Sequence, residues 1–457
     1  MPYLKITSTF ILLLFSYLVY GQKADTIVTL REALLLAEKN YPLLKSKHYE
    51  TEAAKKDVAL SRNTIIPSLD LSYQANLATY NNITGMLNPS GIFPISGPPS
   101  AENKYQPVFG SAAGFSMNWQ AITFGQREAQ TAYAAAGVTQ KEADLKMELF
   151  RHLANVTNTY LDAALAKQLI AVNQKNIKRV EFALIQSRTL TSKGLRPGVD
   201  TALFQSELSK SRIDLLNARE KFDTQKILLS QFLATVEDVD TKDSLFFEQF
   251  PQTRSTISSD FSIHPYINYP KSLEGYSLAK EKLIKRSYLP KINIWSTAYA
   301  RGSGIKYDGT ANSVDGLGFS RFNYGLGFQI VYPLLKFSDR NLQIQQQGLM
   351  TQSIHQKLEE NLLILDKKNQ ISQVTYNNAF LIATETATQL QSAQYAFKAM
   401  QIRYNTGLVN FSDLIQAQYN LLKAETDSRQ SYWYIWKALL NKAVSQGDIN
   451  IFLNELK

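Results

Sequence analysis

GQREAQTAYAAAGVTQKEADLKMELFRHLANVTNTYLDAALAKQLIAVNQKNIKRVEFALIQSRTL, residues 125–190, has no proline, and after Gly125 its one glycine is Gly137. The stretch reads as a single helix of about 65 residues, roughly 100 Å at 1.5 Å per residue. That is several times an ordinary globular helix. A helix so long must lie against others, and one column of positions says how. Leu149, Val156, Ala163, Ile170, Ile177 and Leu184 recur every seventh residue without a break. A sustained heptad is the mark of helices packed side by side in coiled-coil fashion.

The same design occurs twice. Phe115, Phe124, Arg127, Gly194, Leu195, Asp200, Gln205 and Leu208 return as Phe328, Phe337, Arg340, Gly407, Leu408, Asp413, Gln418 and Leu421, always 213 residues on. The column recurs as Leu362, Asn369, Tyr376, Ala383, Leu390 and Phe397, with one polar break at Asn369. Upstream, Pro42 and Pro67 match Pro265 and Pro290 at an offset of 223, so a loop ten residues longer sits between Pro67 and Phe115 than in the second copy. The chain is an internal duplication.

Working outward, residues 1–21 read as a secretory signal: Lys5, an apolar Phe10–Tyr20 stretch, and small residues Val19 and Gly21 for cleavage. The first repeat then covers 22–234. An amphipathic Leu30–Lys39 segment leads to a helix from Pro42 that Pro67 stops. Residues 68–80 and 113–121 alternate apolar and polar, the mark of strands with one apolar face, and flank an exposed Asn-, Gly-, Pro- and Ser-rich loop at 81–111. After the helix of 125–190, Gly194 is a helix stop and Asp200 a candidate cap for a return helix over 200–234. Residues 235–263 read as a polar linker at the periplasmic equator. The second repeat, 264–457, has strands at 291–301 and 322–332, a long helix at 338–404, a return helix at 411–445 and a last dozen residues that read as a frayed tail.

Four strands of nine to thirteen residues suit an outer-membrane wall. Four cannot close a barrel, and an open sheet edge cannot sit in lipid. Three copies would bring twelve strands, an even number as such barrels have, with the helices continuing the pore as a second, helical barrel. The fold class expected is therefore an α+β membrane protein, a trimeric 12-stranded β-barrel continued by a periplasmic α-helical barrel.

The turn Tyr404-Asn-Thr-Gly407-Leu-Val-Asn-Phe-Ser-Asp413-Leu resembles the signature of the TolC-like outer-membrane efflux family, and Gly194-Leu195 to Asp200 is its first copy. The resemblance spans the mature chain in the family's order. It implies the outer-membrane channel of a tripartite efflux or export system. Such a homotrimer passively conducts substrates from a periplasmic adaptor and an inner-membrane pump to the exterior. It implies adaptor docking at Gly194, Leu195, Gly407 and Leu408, and a periplasmic gate of Asp200, Tyr404 and Asp413, in which Tyr404 and Asp200 bond across neighbouring tip helices. The arginine that the best-known member places two residues after the tip glycine is Val409 here, leaving Arg196 or Arg403 to replace it. Asp413 matches an aspartate ringing the constriction. The second ring position is Gln416, so three charges rather than six would remain in a trimer. Asp200 and Asp413 can equally serve as N-caps.

Other functions fit less well. The chain has no cysteine, which removes disulfides, thiol catalysis and cysteine metal sites. The formal charge of +10 is spread out, with no basic block to suggest nucleic acid. His48, His152, His264 and His355 lack metal spacing, Gly325-Leu-Gly327 lacks the third glycine of a dinucleotide loop, and Glu359 and Glu360 are adjacent on a helix and point apart. No catalytic residue, metal or cofactor is expected. A secreted helical spacer or adhesin would need the heptads but neither the aromatic hairpins nor the paired Gly-to-Asp turns.

Overall fold

The computed structural model describes residues 26–79, 81, 102–236, 238–242, 245–252 and 261–456. The expected signal segment and residues 82–101 of the first long loop lie outside the described residues. Two compact units make up the chain: Met1–Thr51 with Lys141–Lys271 and His355–Lys457, and Glu52–Gln140 with Ser272–Ile354. Helices α3 (Gln126–Ser192) and α6 (Phe337–Asn405) each run through both.

The first unit is helical. Its opening helix α1 (Leu30–Asn40) starts in a capping box: Thr29 Oγ1 accepts from the Glu32 amide at 3.3 Å, and the Glu32 carboxylate accepts from the Thr29 amide at 2.7 Å. Helix α2 (Pro42–Asn63) begins on its proline, whose missing N–H costs nothing in a first turn. The long helix α3 returns as α4 (Gly198–Leu233), and α6 returns as α7 (Phe411–Gln446). The heptad column of α3 points inward, with Val156, Ala163 and Leu184 buried and Leu149, Ile170 and Ile177 half-buried. The polar break is used rather than tolerated. Buried Asn369 accepts from Ser445 Oγ at 3.3 Å, and Ser445 bonds Ser372 at 3.0 Å, so one register of α6 on α7 satisfies all three.

Two expectations fail in this unit. Residues 235–263 are not merely a polar linker. Strand β4 (Val239–Thr241) pairs in parallel with β1 (Thr26–Val28), and Val239, Phe246 and Phe247 are buried in the main core. The end of the chain is not frayed either. It forms the short α8 (Asn450–Leu453), and fully buried Phe452 packs edge-on to Trp436 at 5.5 Å, with Phe246 completing the cluster. The reason is the same for both: a few large apolar residues set among polar ones carry no period, yet each fills a place between helices. Phe452→Ala is accordingly expected to cost about 3–5 kcal/mol. Thermal denaturation in detergent reads it, and an unchanged midpoint would restore the frayed tail.

The second unit holds a four-stranded antiparallel sheet in the order β2 (Ser68–Ala78), β3 (Val108–Ile122), β5 (Lys291–Ser303), β6 (Arg321–Val331). Strand β3 starts five residues earlier than its alternation suggests, because the small residues Gly110 and Ser111 blur the pattern while their backbones pair with Asn76 and Ala75. Helix α5 (Pro265–Ser287) leads into β5 as α2 leads into β2. Cross-strand partners sort the sheet into two faces. Leu71, Phe115, Ala298 and Tyr324 form one rung; Met117, Ser296 and Leu326 form part of another; Ile294 and Phe328 pair in the next. This face is apolar and open: Tyr324 is 93% exposed and Phe328 72%. So much exposed apolar surface needs a non-aqueous neighbour.

The opposite face carries Ser72, Gln74, Asn118, Asn293 and Gln329. Trp295 and Tyr299 also lie there, each laid on a glycine of the next strand. A Cβ at Gly327 would stand 2.6 Å from the Trp295 ring, and one at Gly114 would stand 2.4 Å from Tyr299 Cβ. The Gly325-Leu-Gly327 run is thus a seat for an indole, a cross-strand pairing of aromatic on glycine that pins register. Strands β2 and β6 each keep one unpaired edge within the chain.

Candidate gate at the helical tips

Both helical turns close by the same chemistry. Gly194 (φ +68°) and Gly407 (φ +83°) adopt the left-handed conformation that lets a helix stop. Leu195 N donates to Leu190 O at 2.9 Å and Leu408 N to Arg403 O at 2.8 Å. Inside these, Gly194 N donates to Thr191 O at 3.0 Å and Gly407 N to Tyr404 O at 3.1 Å. These are two Schellman closures 213 residues apart. They leave Leu195 and Leu408 exposed at the turns, 67% and 70% open.

The structure brings Tyr404 and Asp200 together. Tyr404, in the last turn of α6, is 1% exposed and donates its hydroxyl to Asp200 Oδ2 at 3.1 Å. Phe204 stands edge-on to the Tyr404 ring at 5.9 Å and to Phe411 at 4.6 Å, and Val180, Leu184 and Leu414 close the cluster. Burial, and then the neighbouring Asp200 carboxylate, push the Tyr404 phenol up to about 12. The phenol is therefore held as a proton donor.

Asp200 is not the N-cap of α4. Pro197 holds that place without a side-chain bond, and Asp200 sits in the first turn with its carboxylate aimed across at α6. Nor is Asp413 the cap of α7. Asn410 is, accepting from the Asp413 amide at 3.0 Å, while Asp413 Oδ2 accepts from the Asn410 amide at 3.3 Å. Asp413 completes a capping box and stays exposed, as does Gln416, which donates to Asn420 at 3.1 Å. Asp413 is not brought to the Tyr404–Asp200 pair. Of the two arginines, Arg196 reaches it. Its guanidinium donates to Tyr404 O at 3.1 Å and Val409 O at 2.7 Å, and lies 4.6 Å from the centre of the Tyr404 ring. Arg403 is exposed.

Further ties between the two helical hairpins escaped the sequence reading. Tyr419 donates to the buried Glu207, and Lys210 donates to the Tyr419 hydroxyl at 3.3 Å. Gln418 donates to Asn176 Oδ1 at 3.2 Å, and Asn176 donates to Ser211 at 3.0 Å, all three being 1% exposed. Arg179 grips Glu425 with two bonds, 2.9 and 2.7 Å. The signal that pointed here was the repeated Gln205 and Gln418, which duplication alone could not rank: Gln205 stays exposed and accepts from Arg188 at 3.1 Å. Nothing in this cluster supplies a nucleophile beside a base. Among the described residues no group of His, Asp and Glu could hold a metal ion, and no helix is long and apolar enough to cross a membrane.

Residues 33–235 match the family model described as Outer membrane efflux protein. No curated protein matches in sequence. Solved structures match nearly end to end. CusC superposes with a TM-score of 0.76 at 11% identity, covering 94% of this chain and 96% of that one. CmeC of Campylobacter jejuni gives 0.74 at 12% identity, covering 94% and 90%. The open state of MtrE from Neisseria gonorrhoeae gives 0.72 at 13% identity, covering 92% and 89%. The chain thus matches the outer membrane efflux protein model over its first repeat, repeats the tip turn in its second, and shares over nearly its whole length the fold of solved outer-membrane channels.

Proposed function

We propose that this chain is the outer-membrane channel of a tripartite efflux system and is gated at its helical tips, with Tyr404, Asp200 and Arg196 holding the closed position. The observation that carries the reading is the buried Tyr404–Asp200 bond, because it joins the end of one hairpin's long helix to the start of the other hairpin's return helix. Arg196 stands in for the arginine missing at Val409 and grips two carbonyls of the partner turn. MtrE, which shares the fold, is solved in an open state, which supports a duct that opens and closes. The exposed turns Gly194-Leu195 and Gly407-Leu408 offer small apolar knobs for a periplasmic adaptor, through which an inner-membrane pump delivers cargo. The duct performs no chemistry and supplies no energy; it supplies a water-filled path.

Exposed Asp413 gives the pore mouth its charge, one carboxylate per protomer, with neutral Gln416 beside it. Asp413→Asn is expected to reduce the cation preference of the reconstituted trimer, read as a shift of reversal potential toward zero in a salt gradient. Because the Asn410 side chain still caps α7, the trimer itself should survive. An unchanged reversal potential would leave Asp413 as a capping residue only.

A further inference from the structure

The loop after β5 is built onto the outside of the sheet. Residues 304–320 fold into a small hairpin and a 3-10 turn, Ser313–Leu317. Gly309, at φ +81°, makes the bend, and Asp308 accepts from the Thr310 amide and hydroxyl at 3.0 and 2.7 Å. The 3-10 turn is then fastened to the end of β3. Ser111 Oγ donates to Gly316 O at 2.7 Å, Phe109 N donates to Ser313 Oγ at 3.2 Å, and Gly304 N donates to Phe109 O at 2.9 Å. The approach is too close for side chains. A Cβ at Gly302 would lie 1.9 Å from Gly318 O, and one at Gly316 would lie 1.6 Å from Phe109 O. Two glycines are therefore required at this seat, which marks a fixed docking rather than a draped loop.

Pairing shows which face is covered. Ser111 and Gly302 are cross-strand partners on the same side as Ala113, Phe115 and Ala300, the apolar side. The Phe319 ring meets Tyr73 of that side edge-on at 6.4 Å. The loop thus lies over the upper end of the face that the barrel turns to lipid. Its own outer surface is apolar again: Val314 is 69% exposed, Leu317 47% and Phe319 43%. Lys104, which donates to Gly309 O at 3.1 Å, and Lys306, 3.7 Å from Asp315, stand at its rim.

We propose that residues 304–320 form a collar seated in the outer leaflet, with Val314, Leu317 and Phe319 at the boundary of acyl chains and headgroups. The occupant is lipid because the patch continues the lipid-facing surface of the sheet without interruption, and the inference rests on that reading of the barrel. Apolar side chains flanked by lysines are the composition that lies in such an interface. The collar fixes the depth of the barrel and ties the β5–β6 loop to the wall outside the pore.

The chain has no cysteine, so single labels are clean. Val314→Cys, Leu317→Cys, Thr310→Cys and Phe328→Cys trimers would each carry a polarity-sensitive fluorophore in vesicles of phosphatidylethanolamine and phosphatidylglycerol. Quenchers would be aqueous iodide and a lipid bearing a nitroxide near the headgroup end of its acyl chain. The expected result is blue-shifted emission at 314 and 317, lost to the nitroxide and spared by iodide, with the reverse at 310. Iodide quenching at 314 and 317 while 328 answers to lipid would overturn the collar and keep the barrel. Protection from both quenchers at 314 and 317 would mean that protein covers the patch, which also overturns it. A label at 328 untouched by lipid would take the barrel reading down with the collar.

Discussion

In planar bilayers, Tyr404→Phe and Asp200→Ala trimers are expected to conduct far more than the wild type, with the open-to-closed ratio raised about ten- to hundredfold. A hydrogen bond to an ionised acceptor contributes roughly 1.5–3 kcal/mol, and each 1.4 kcal/mol is about a factor of ten. The two variants differ in what they leave behind. Asp200→Ala leaves a buried hydroxyl without its carboxylate, whereas Tyr404→Phe leaves a carboxylate 8% exposed without its donor. The second is the costlier orphan, so Tyr404→Phe should open the gate further. The double variant should gain little over Tyr404→Phe, since one interaction is lost in both.

Alkali supplies an independent check. The latched phenol titrates at about 12 rather than its ordinary 10. A pKa raised in the latched state means that this state holds the proton more tightly. The latch is therefore at full strength below pH 10 and is lost as pH rises from 10 through 12. Wild-type conductance should climb across that window and Tyr404→Phe conductance should not. Variants that conduct like the wild type at every pH would reduce Tyr404 and Asp200 to packing residues.

The second large effect is expected at Arg179. Its bidentate partner Glu425 is 15% exposed in its side chain and Arg179 itself 18%. Arg179→Ala strands the carboxylate between α3 and α7, and breaking a buried pair costs about 3–5 kcal/mol, here toward the lower bound because some water reaches both groups. Arg179→Met combined with Glu425→Leu should recover most of the loss, because an apolar pair of similar bulk leaves no charge to solvate. Melting of the detergent-solubilised trimer distinguishes the two. If the double variant is as unstable as the single one, the pair's worth lies in its geometry and in the bonded Asn176 beside it rather than in charge compensation.

Much of this architecture was legible because it repeats. Leu149 to Leu184 announced a helix that needed partners, and the return of Gly194 and Asp200 as Gly407 and Asp413 placed both turns. Alternation around Tyr73 and Phe328 gave a sheet with an apolar side. The Tyr404–Asp200 pairing came through family resemblance rather than spacing, since nothing local joins residue 200 to residue 404. What stayed hidden has a common cause. β1 and β4 are three residues each, too short for a period, and their pairing exists only in the fold. Phe246 and Phe452 look like strays until the gap between helices is seen. Asp200 and Asp413 both resembled caps, yet Pro197 and Asn410 hold those places because each helix begins two residues before its acid. The seats at Gly302, Gly316 and Gly327 were written as glycines, but a glycine does not say what lies against it.

The main core has a consequence for how the chain is made. It gathers Val28 near the start, Val239 and Phe246 in the middle, and Phe452 almost at the end, and Arg31 donates to Leu453 O at 3.2 Å across 422 residues of sequence. Contacts of such separation form late, because loop closure must precede them. A polypeptide that emerges amino end first therefore cannot complete this core until Phe452 has followed Val28. Through that interval its apolar helix faces stand open. A core closed across such separations leaves its apolar surface open for longer during folding than one closed by local contacts, and that surface is what associates wrongly.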